Sequence, residues 1–339
     1  MIAIAKTLLA AGVFVTGDAA AERLIIDTDC GYLGDDGTTI AMLLRAPASA
    51  KVDAITIVSG NVWSASSLRY TREILKILGQ STVPVYLGAD LPLRHTAAMA
   101  EEAGRKWGPL EFRGAFGEKK PPEPKLARNA VDEIIRRVEA APGELTIVAL
   151  GPMTNIALAL RKRPAIASKI RRLVFMGGQL RVPGNASKQA EFNFWFDPEA
   201  ASAVLQSPIA EKTMFGLDVC NRAMLDKAGF DAIANAGTPL TKRFAEDFGR
   251  RYPGFYKNPG ATVSLWDALV AAWLISPTLF GAPEKIHLDV ETDFGENYGK
   301  VLERKKAEGV TPVSMMNTVN YPGVYAMFRD LLTQHVHHH

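Results

Sequence analysis

The sequence is short of the residues that most often carry acid-base or redox chemistry. Of its 339 residues, six are histidine and two are cysteine. Four of the histidines, His335, His337, His338 and His339, fall in the last five positions and read as a tail or tag, outside any site. Only His95 and His287 remain, so a mechanism built on a histidine acid or base has little to draw on. Cys30 and Cys220 cannot make a disulfide framework; at most they form one bridge. No apolar run is long enough to cross a bilayer. Charge of one sign is also missing. There are 39 Lys and Arg against 36 Asp and Glu, a net charge of +3, and the basic residues are dispersed. That argues against a nucleic-acid partner, which would need a basic stripe. Repeats, low-complexity tracts and domain linkers are absent from the sequence as well.

With 47% hydrophobic and 22% charged residues, the chain is an ordinary globular composition able to bury a large core. Its first residues read as an export signal. Lys6 is followed by an apolar run over 8–15 and by Ala19-Ala20-Ala21, a small-residue cleavage site. The expected organisation is therefore a signal peptide over 1–21, one domain over 22–334 and a His-rich tail over 335–339. The mature protein would be periplasmic or secreted, with no membrane attachment after cleavage.

Apolar runs at 24–26, 52–58, 145–150 and 173–176 are each strand-like. The first three are followed by helix-like segments at 37–45, 66–78 and 155–161. The segment 129–140 carries Ala130, Ile134, Ile135 and Val138 at helical spacing. This alternation predicts an α/β fold: a Rossmann-like, mostly parallel open sheet flanked by helices, in a single domain. Further strands are expected at 285–292 and 299–302, and a last helix near 325–332. The polar stretch 94–125 reads as a long surface segment with one helix at 97–106, either a lid or a mere insertion.

Open sheets of this kind bind ligands beyond the carboxyl ends of their strands. The residues at those ends are rich in carboxylates and amides. LIIDTDCGYLGDDGTTIAMLL places Asp27, Asp29, Asp35 and Asp36 within ten residues. Ser59, Gly60 and Asn61 follow the second run, Thr154 and Asn155 the third. Asn185, Glu191 and Asn193 follow the fourth. Unpaired carboxylates so crowded would repel one another. A hard cation such as Ca2+, with roughly six to eight oxygen ligands, resolves the repulsion, and Zn2+ would want His or Cys. The plainer alternative is an acidic turn whose Asp35 and Asp36 cap a helix. That alternative leaves Asp27 and Asp29 unexplained. A cation and a spare carboxylate together generate a nucleophilic water, and short amide side chains suit a ligand with several hydroxyls, such as a sugar.

These strings together resemble the nucleoside N-ribohydrolases, the inosine-uridine-preferring nucleoside hydrolases, from about residue 24 to 328. The matching blocks, in order, are IIDTDCG with its DD pair, TIVSGNV, VPVYLGADLPL, GELTIVALGPMTNIALAL, LVFMGGQLRVPGNASKQAEFNFWFDPEAA and SLWDALVAAWLISPTLF. The resemblance implies Ca2+-dependent hydrolysis of the N-glycosidic bond of a ribonucleoside to base and ribose. Asp29 resembles the carboxylate that deprotonates the attacking water and touches the metal, and Asn61 the asparagine near that water. Asp36, the Leu150 carbonyl and Asp267 resemble the remaining metal ligands. Asp35, Met176, Asn185, Glu191, Asn193 and Asp267 resemble the ribose-binding set. Relatives are commonly dimers or tetramers, so a homodimer or homotetramer is expected.

The chain departs from the family pattern in three places. Tyr32-Leu33-Gly34 lengthens the loop before the DD pair. Trp266 stands where many relatives have a histidine that protonates the leaving base. Trp107-Gly108 replaces a second histidine-glycine. Tryptophans at these positions resemble the purine-preferring branch, where aromatic rings hold the base, so Trp266 is expected to be catalytic and Trp107 substrate-binding. Phe255, Tyr256 and Trp195 are further candidates for the base pocket. Trp266 could instead be core packing beside Trp273. Two other readings compete. A haloacid-dehalogenase-type phosphatase shares the strand and D-x-D but not the later blocks. An exported nucleoside- or ribose-binding protein would keep the pocket without turnover.

Overall fold

Leu24, Ile25 and Ile26 form an unbroken apolar run, and all three are fully buried. Side chains alternate along a strand, so an unbroken run signals a strand covered on both faces. The packing shows this directly. Leu24 and Ile26 enter one core, which also takes Val148 and Val174. Ile25 enters the other, with Ile147, Leu173 and Phe175.

The computed structural model describes residues 20–122 and 124–334. The expected signal peptide, but for its last two residues, and the expected tail over 335–339 lie outside the described residues.

In chain order the strands are β1 (Glu22–Thr28), β2 (Ala50–Ile57), β3 (Val85–Leu87), β4 (Leu145–Ala149), β5 (Arg172–Met176) and β6 (Lys212–Phe215). They continue with β7 (Met224–Asp226), β8 (Thr262–Ser264), β9 (Glu284–Ile286), β10 (Leu288–Val290), β11 (Val301–Glu303) and β12 (Val313–Met315). Eight of them make one sheet in the order β3-β2-β1-β4-β5-β6-β12-β9. All neighbours are parallel except β12 and β9. The pairs β7–β8 and β10–β11 are separate antiparallel ribbons. This is the expected mostly parallel open sheet flanked by helices.

Helices occupy the expected places: Asp36–Leu44, Ser64–Ile77, Ala97–Trp107, Ala130–Ala140, Thr154–Lys162 and Tyr321–Thr333. In the Ala130–Ala140 helix the buried residues include Ala130, Ile134, Ile135 and Val138, the stripe its periodicity predicts. The expected strand over 285–292 is a correction. It breaks at His287 into β9, which joins the main sheet, and β10, which pairs with β11. The short β3, β6 and β12 carry no periodicity of their own and are strands because neighbours supply their hydrogen bonds. Among the described residues no helix is long and apolar enough to cross a membrane.

Strand order reverses direction between β1 and β4, since the chain winds outward from them to β3 on one side and β6 on the other. Such a switch point opens a crevice at the carboxyl ends of the two strands. Asp29 follows β1 and Leu150 follows β4, so both stand at that crevice.

Candidate active site

Asp29 sits just past the end of β1 and is fully buried. Two glycines make room for it. A Cβ on Gly60 would lie 2.0 Å from Asp29 Oδ2, and one on Gly151 would lie 2.7 Å from Asp29 Oδ1. The carboxylate is thus slotted between the ends of β2 and β4. Its Oδ2 accepts the Asn61 backbone N–H at 2.5 Å. Its Oδ1 is buried with no partner. Asp36 accepts the Thr28 hydroxyl on Oδ1 at 2.5 Å and the Asn61 side-chain amide on Oδ2 at 3.3 Å. Asn61 therefore binds both carboxylates, one through its backbone and one through its side chain.

The inserted Tyr32-Leu33-Gly34 does not scatter the aspartates. The Leu33 N–H donates to Asp247 Oδ2 at 2.9 Å, and the Tyr32 ring meets Phe248 edge-on at 5.8 Å. Both partners lie on the helix Pro239–Arg251, so the longer loop is docked on a helix rather than left loose. Nor do Asp35 and Asp36 serve as helix caps. No side chain caps the helix Asp36–Leu44. Asp35 Oδ1 instead accepts the Asp267 backbone N–H at 2.9 Å.

Asp27 is a different case. Thr56 and Asn155 donate to its Oδ1 at 2.5 and 2.7 Å, and Asn155 also bonds the Ile57 carbonyl at 3.0 Å. Asp27 and Asn155 hold strand ends together behind the site.

On the far side of the crevice, Glu191 accepts the backbone N–H of Asn193, Gly178 and Phe194 at 2.9, 2.7 and 3.2 Å. It caps the short helix Phe192–Phe196. Asn193 Nδ2 donates to the Leu150 and Met176 carbonyls at 2.9 and 3.1 Å, tying the ends of β4 and β5. Asn185 Oδ1 accepts the Phe192 N–H at 2.8 Å.

One small cavity of about 40 Å³ is lined by Asp35, Asn61, Leu150, Met176, Asn185, Glu191, Asn193, Trp266 and Asp267, together with Phe112 and Phe192. Trp266 is half-buried. It packs against the large core and also lines this cleft. Its Nε1 is buried without a partner. Phe192 lies between Glu191 and Asn193 and could have been found by that adjacency. Phe112 comes from the long polar segment and carries no signal in the sequence.

Trp107 is not brought to this cleft. It is 38% exposed and lines a separate cavity with Leu110, Glu111, Gln189, Trp195 and Tyr298. Phe255 is buried against Phe230 and Phe248, and Tyr256 is largely exposed. Trp195 packs edge-on against the buried His95. None of these three lines the carboxylate cleft, because tertiary packing uses their rings elsewhere. Cys30 and Cys220 are buried free thiols whose pKa burial pushes up, which makes them inert.

Burial dominates the electrostatics. It raises Asp29 well above the ordinary carboxylate range, with the charge of Asp36 adding to the shift. Burial and then the charge of Asp36 raise Asp35 to about 8. Asp267 is raised by burial and by the facing charges of Asp35, Asp36 and Asp29. Burial brings Glu191 to about 7. These carboxyl groups crowd together without an arginine or lysine in the cavity lining. Among the described residues no three His, Cys, Asp or Glu side chains form a complete metal-binding group. The donors present are nonetheless all oxygen: the Asp29–Asp36 pair with an orphaned Oδ1, the Leu150 carbonyl with one lone pair still available, and Asp267. That set fits a hard cation, not zinc.

Similarity to known proteins agrees with this geometry. The chain is 35% identical over 269 residues to the pyrimidine-specific ribonucleoside hydrolase RihA of Citrobacter koseri, covering 77% of this chain and 82% of that one. It is 32% identical over 331 residues to RihA of Salmonella typhi, covering 93% and 98%. Among solved structures it matches an inosine-guanosine nucleoside hydrolase with a TM-score of 0.75 at 26% identity, covering 92% of this chain and 98% of that one. It matches the purine-preferring ribonucleoside hydrolase of Gardnerella vaginalis with a TM-score of 0.72 at 27% identity, again covering 92% and 98%. The model of the inosine-uridine preferring nucleoside hydrolases matches residues 24–326, and the chain belongs to that family of enzymes, which act on the N-glycosyl bonds of ribonucleosides.

Proposed function

We propose that this hydrolase depends on Ca2+ and prefers purine ribonucleosides, releasing the free base and ribose. The observation that carries the purine reading is Trp266. It faces the cleft next to Asp267, with an unpartnered buried Nε1, and no histidine lines the cavity. A leaving base held against an indole face gains stacking, which is larger for the wider purine ring.

Asp29, Asp36, Asp267 and the Leu150 carbonyl would hold the cation, which when bound lowers the pKa of a water. Asp29 is the base for that water, because its Oδ1 is the buried acceptor left free. Asn61 fixes the plane of the Asp29 carboxylate. Asp35, Asn185, Glu191 and Asn193 would read the ribose hydroxyls, and Met176, which lines the same cavity, would meet the sugar. Positive charge developing on the ribosyl ring is stabilised by the surrounding carboxylates.

A second reading, pyrimidine preference, draws on the two RihA relatives, whose names state that specificity. We also propose export to the periplasm or beyond, on the pattern of residues 1–21, and assembly as a homodimer or homotetramer.

The test is ribose release by the mature protein from inosine, adenosine, guanosine, uridine and cytidine, with and without a Ca2+ chelator. Faster, chelator-sensitive release from purines supports the proposal. Faster release from uridine and cytidine supports the second reading. Indifference to the chelator removes the cation. Asp29→Ala should abolish turnover; a near-normal rate would remove Asp29 as the base.

A further inference from the structure

The cleft is narrow: its cavity of about 40 Å³ gives room for a few waters, so a ring in its wall that swings aside would widen the way for a nucleoside. The polar wall residues are tied at strand ends by the hydrogen bonds described above. Phe112 is different. The neighbouring Glu111 N–H bonds the Ala186 carbonyl at 2.9 Å and the Ala115 N–H bonds the Gly60 carbonyl at 2.8 Å, so the backbone on either side is anchored. The half-buried Phe112 ring rests on Phe192 at 4.6 Å.

Its other neighbour is a cation. The guanidinium of Arg251, an exposed residue at the end of the helix Pro239–Arg251, lies 5.6 Å from the centre of the Phe112 ring. The same guanidinium lies 5.5 Å from the centre of the Tyr32 ring. Tyr32 belongs to the inserted part of the aspartate loop. One arginine thus joins the loop that carries Asp35 and Asp36 to the aromatic wall of the cleft, from a helix already docked on that loop.

We infer that Arg251 is a positioning residue of this hydrolase: held between Tyr32 and Phe112, its guanidinium keeps the Phe112 ring across the cleft, and this contact opens before a nucleoside enters. The inference rests on the carboxylate cleft being the place of hydrolysis. Apparent affinity for substrate is then reduced by the fraction of molecules held closed. A cation over an exposed ring is a weak contact, so the effect on KM is about two- to fivefold.

The test is a double-mutant cycle read by steady-state kinetics on whichever nucleoside the enzyme hydrolyses fastest. Arg251→Ala should lower KM by about two- to fivefold with kcat little changed. In a Phe112→Ala background, Arg251→Ala should leave KM where Phe112→Ala put it. Arg251→Lys, a smaller charge that cannot serve two rings equally, should fall between wild type and alanine. Arg251 is exposed, so thermal melting should not move in Arg251→Ala. An unchanged or raised KM in Arg251→Ala overturns the inference, as does an equal shift in the two backgrounds. Loss of turnover in Asp29→Ala tests the cleft itself, separately from the KM comparison, which uses only enzymes that still turn over.

Discussion

Asp35 and Asp267 are 232 positions apart in the sequence and are joined by one hydrogen bond of 2.9 Å, from the Asp267 backbone N–H to Asp35 Oδ1. The bond fixes the carboxylate after β1 against the start of the helix Ala268–Ile275. It also explains why Asp35 does not cap its own helix. The hydrogen bond that Asp35 makes to Asp267 and its proposed part in reading ribose can be separated. Asp35→Asn keeps an oxygen acceptor for the N–H, so stability should stay near wild type while KM rises through loss of the carboxyl group. Asp35→Ala leaves the N–H buried without a partner and should cost about 1–3 kcal/mol of stability as well. Urea unfolding of both variants beside their kinetics checks this; equal stability losses would make the carboxylate charge, not the acceptor, the structural element.

Gly60 tests how closely Asp29 is packed. A Cβ there would sit 2.0 Å from Asp29 Oδ2, so Gly60→Ala must push the carboxylate aside. Misplacement of a reacting group by about 1 Å can cost on the order of a hundredfold in rate. The expected outcome is a fall of that size in kcat. Gly104→Ala, where a Cβ meets nothing within 4 Å, should be neutral. Normal turnover by Gly60→Ala would show that the Asp29 position is not set by this contact.

Trp266→Ala should hurt inosine hydrolysis far more than that of p-nitrophenyl riboside, whose leaving group needs no protonation. Stacking of about 1–3 kcal/mol per base corresponds to roughly 5- to 150-fold. Comparing kcat/KM on the two substrates decides the matter. Equal losses would return Trp266 to the core, against which it also packs.

His95 carries a pH dependence of stability outside the cleft. It is buried among Phe116, Trp195 and Tyr298. Its Nδ1 lies 3.0 Å from the Trp195 carbonyl and its Nε2 has no partner. Burial lowers its pKa from 6.5 to about 4. The unfolded chain therefore takes up a proton near pH 6.5 that the folded chain refuses until about pH 4. The neutral ring's contribution is fully present above pH 6.5 and is lost as pH falls toward 4, by on the order of 3 kcal/mol. His95→Gln should flatten that part of the stability profile. Unfolding midpoints in urea at pH 7 and pH 4.5 measure it, and parallel profiles for the two proteins would exclude His95 as the source.

The sequence by itself determined the unbroken buried strands, the helices with amphipathic stripes and the six ordered blocks that identify the family. Each of these is a local or near-local pattern: Leu24-Ile25-Ile26 must be covered on both faces, and Ile134 and Val138 must share one. It also pointed to a cluster of oxygen donors at the strand ends, where open sheets collect ligands. Only the tertiary structure decided what each ring does. Trp107 and Trp266 are both tryptophans in family motifs, but Trp107 borders another cavity while Trp266 faces the cleft. Phe112, silent in the sequence, forms the wall. The inserted Tyr32-Leu33-Gly34 is held by Asp247 and Phe248, more than two hundred residues away. Burial of an aromatic ring depends on which distant surface covers it, and a hydrogen bond such as Asp35 to Asp267 depends on two loops arriving at the same strand end. Neither leaves a periodic trace in the chain.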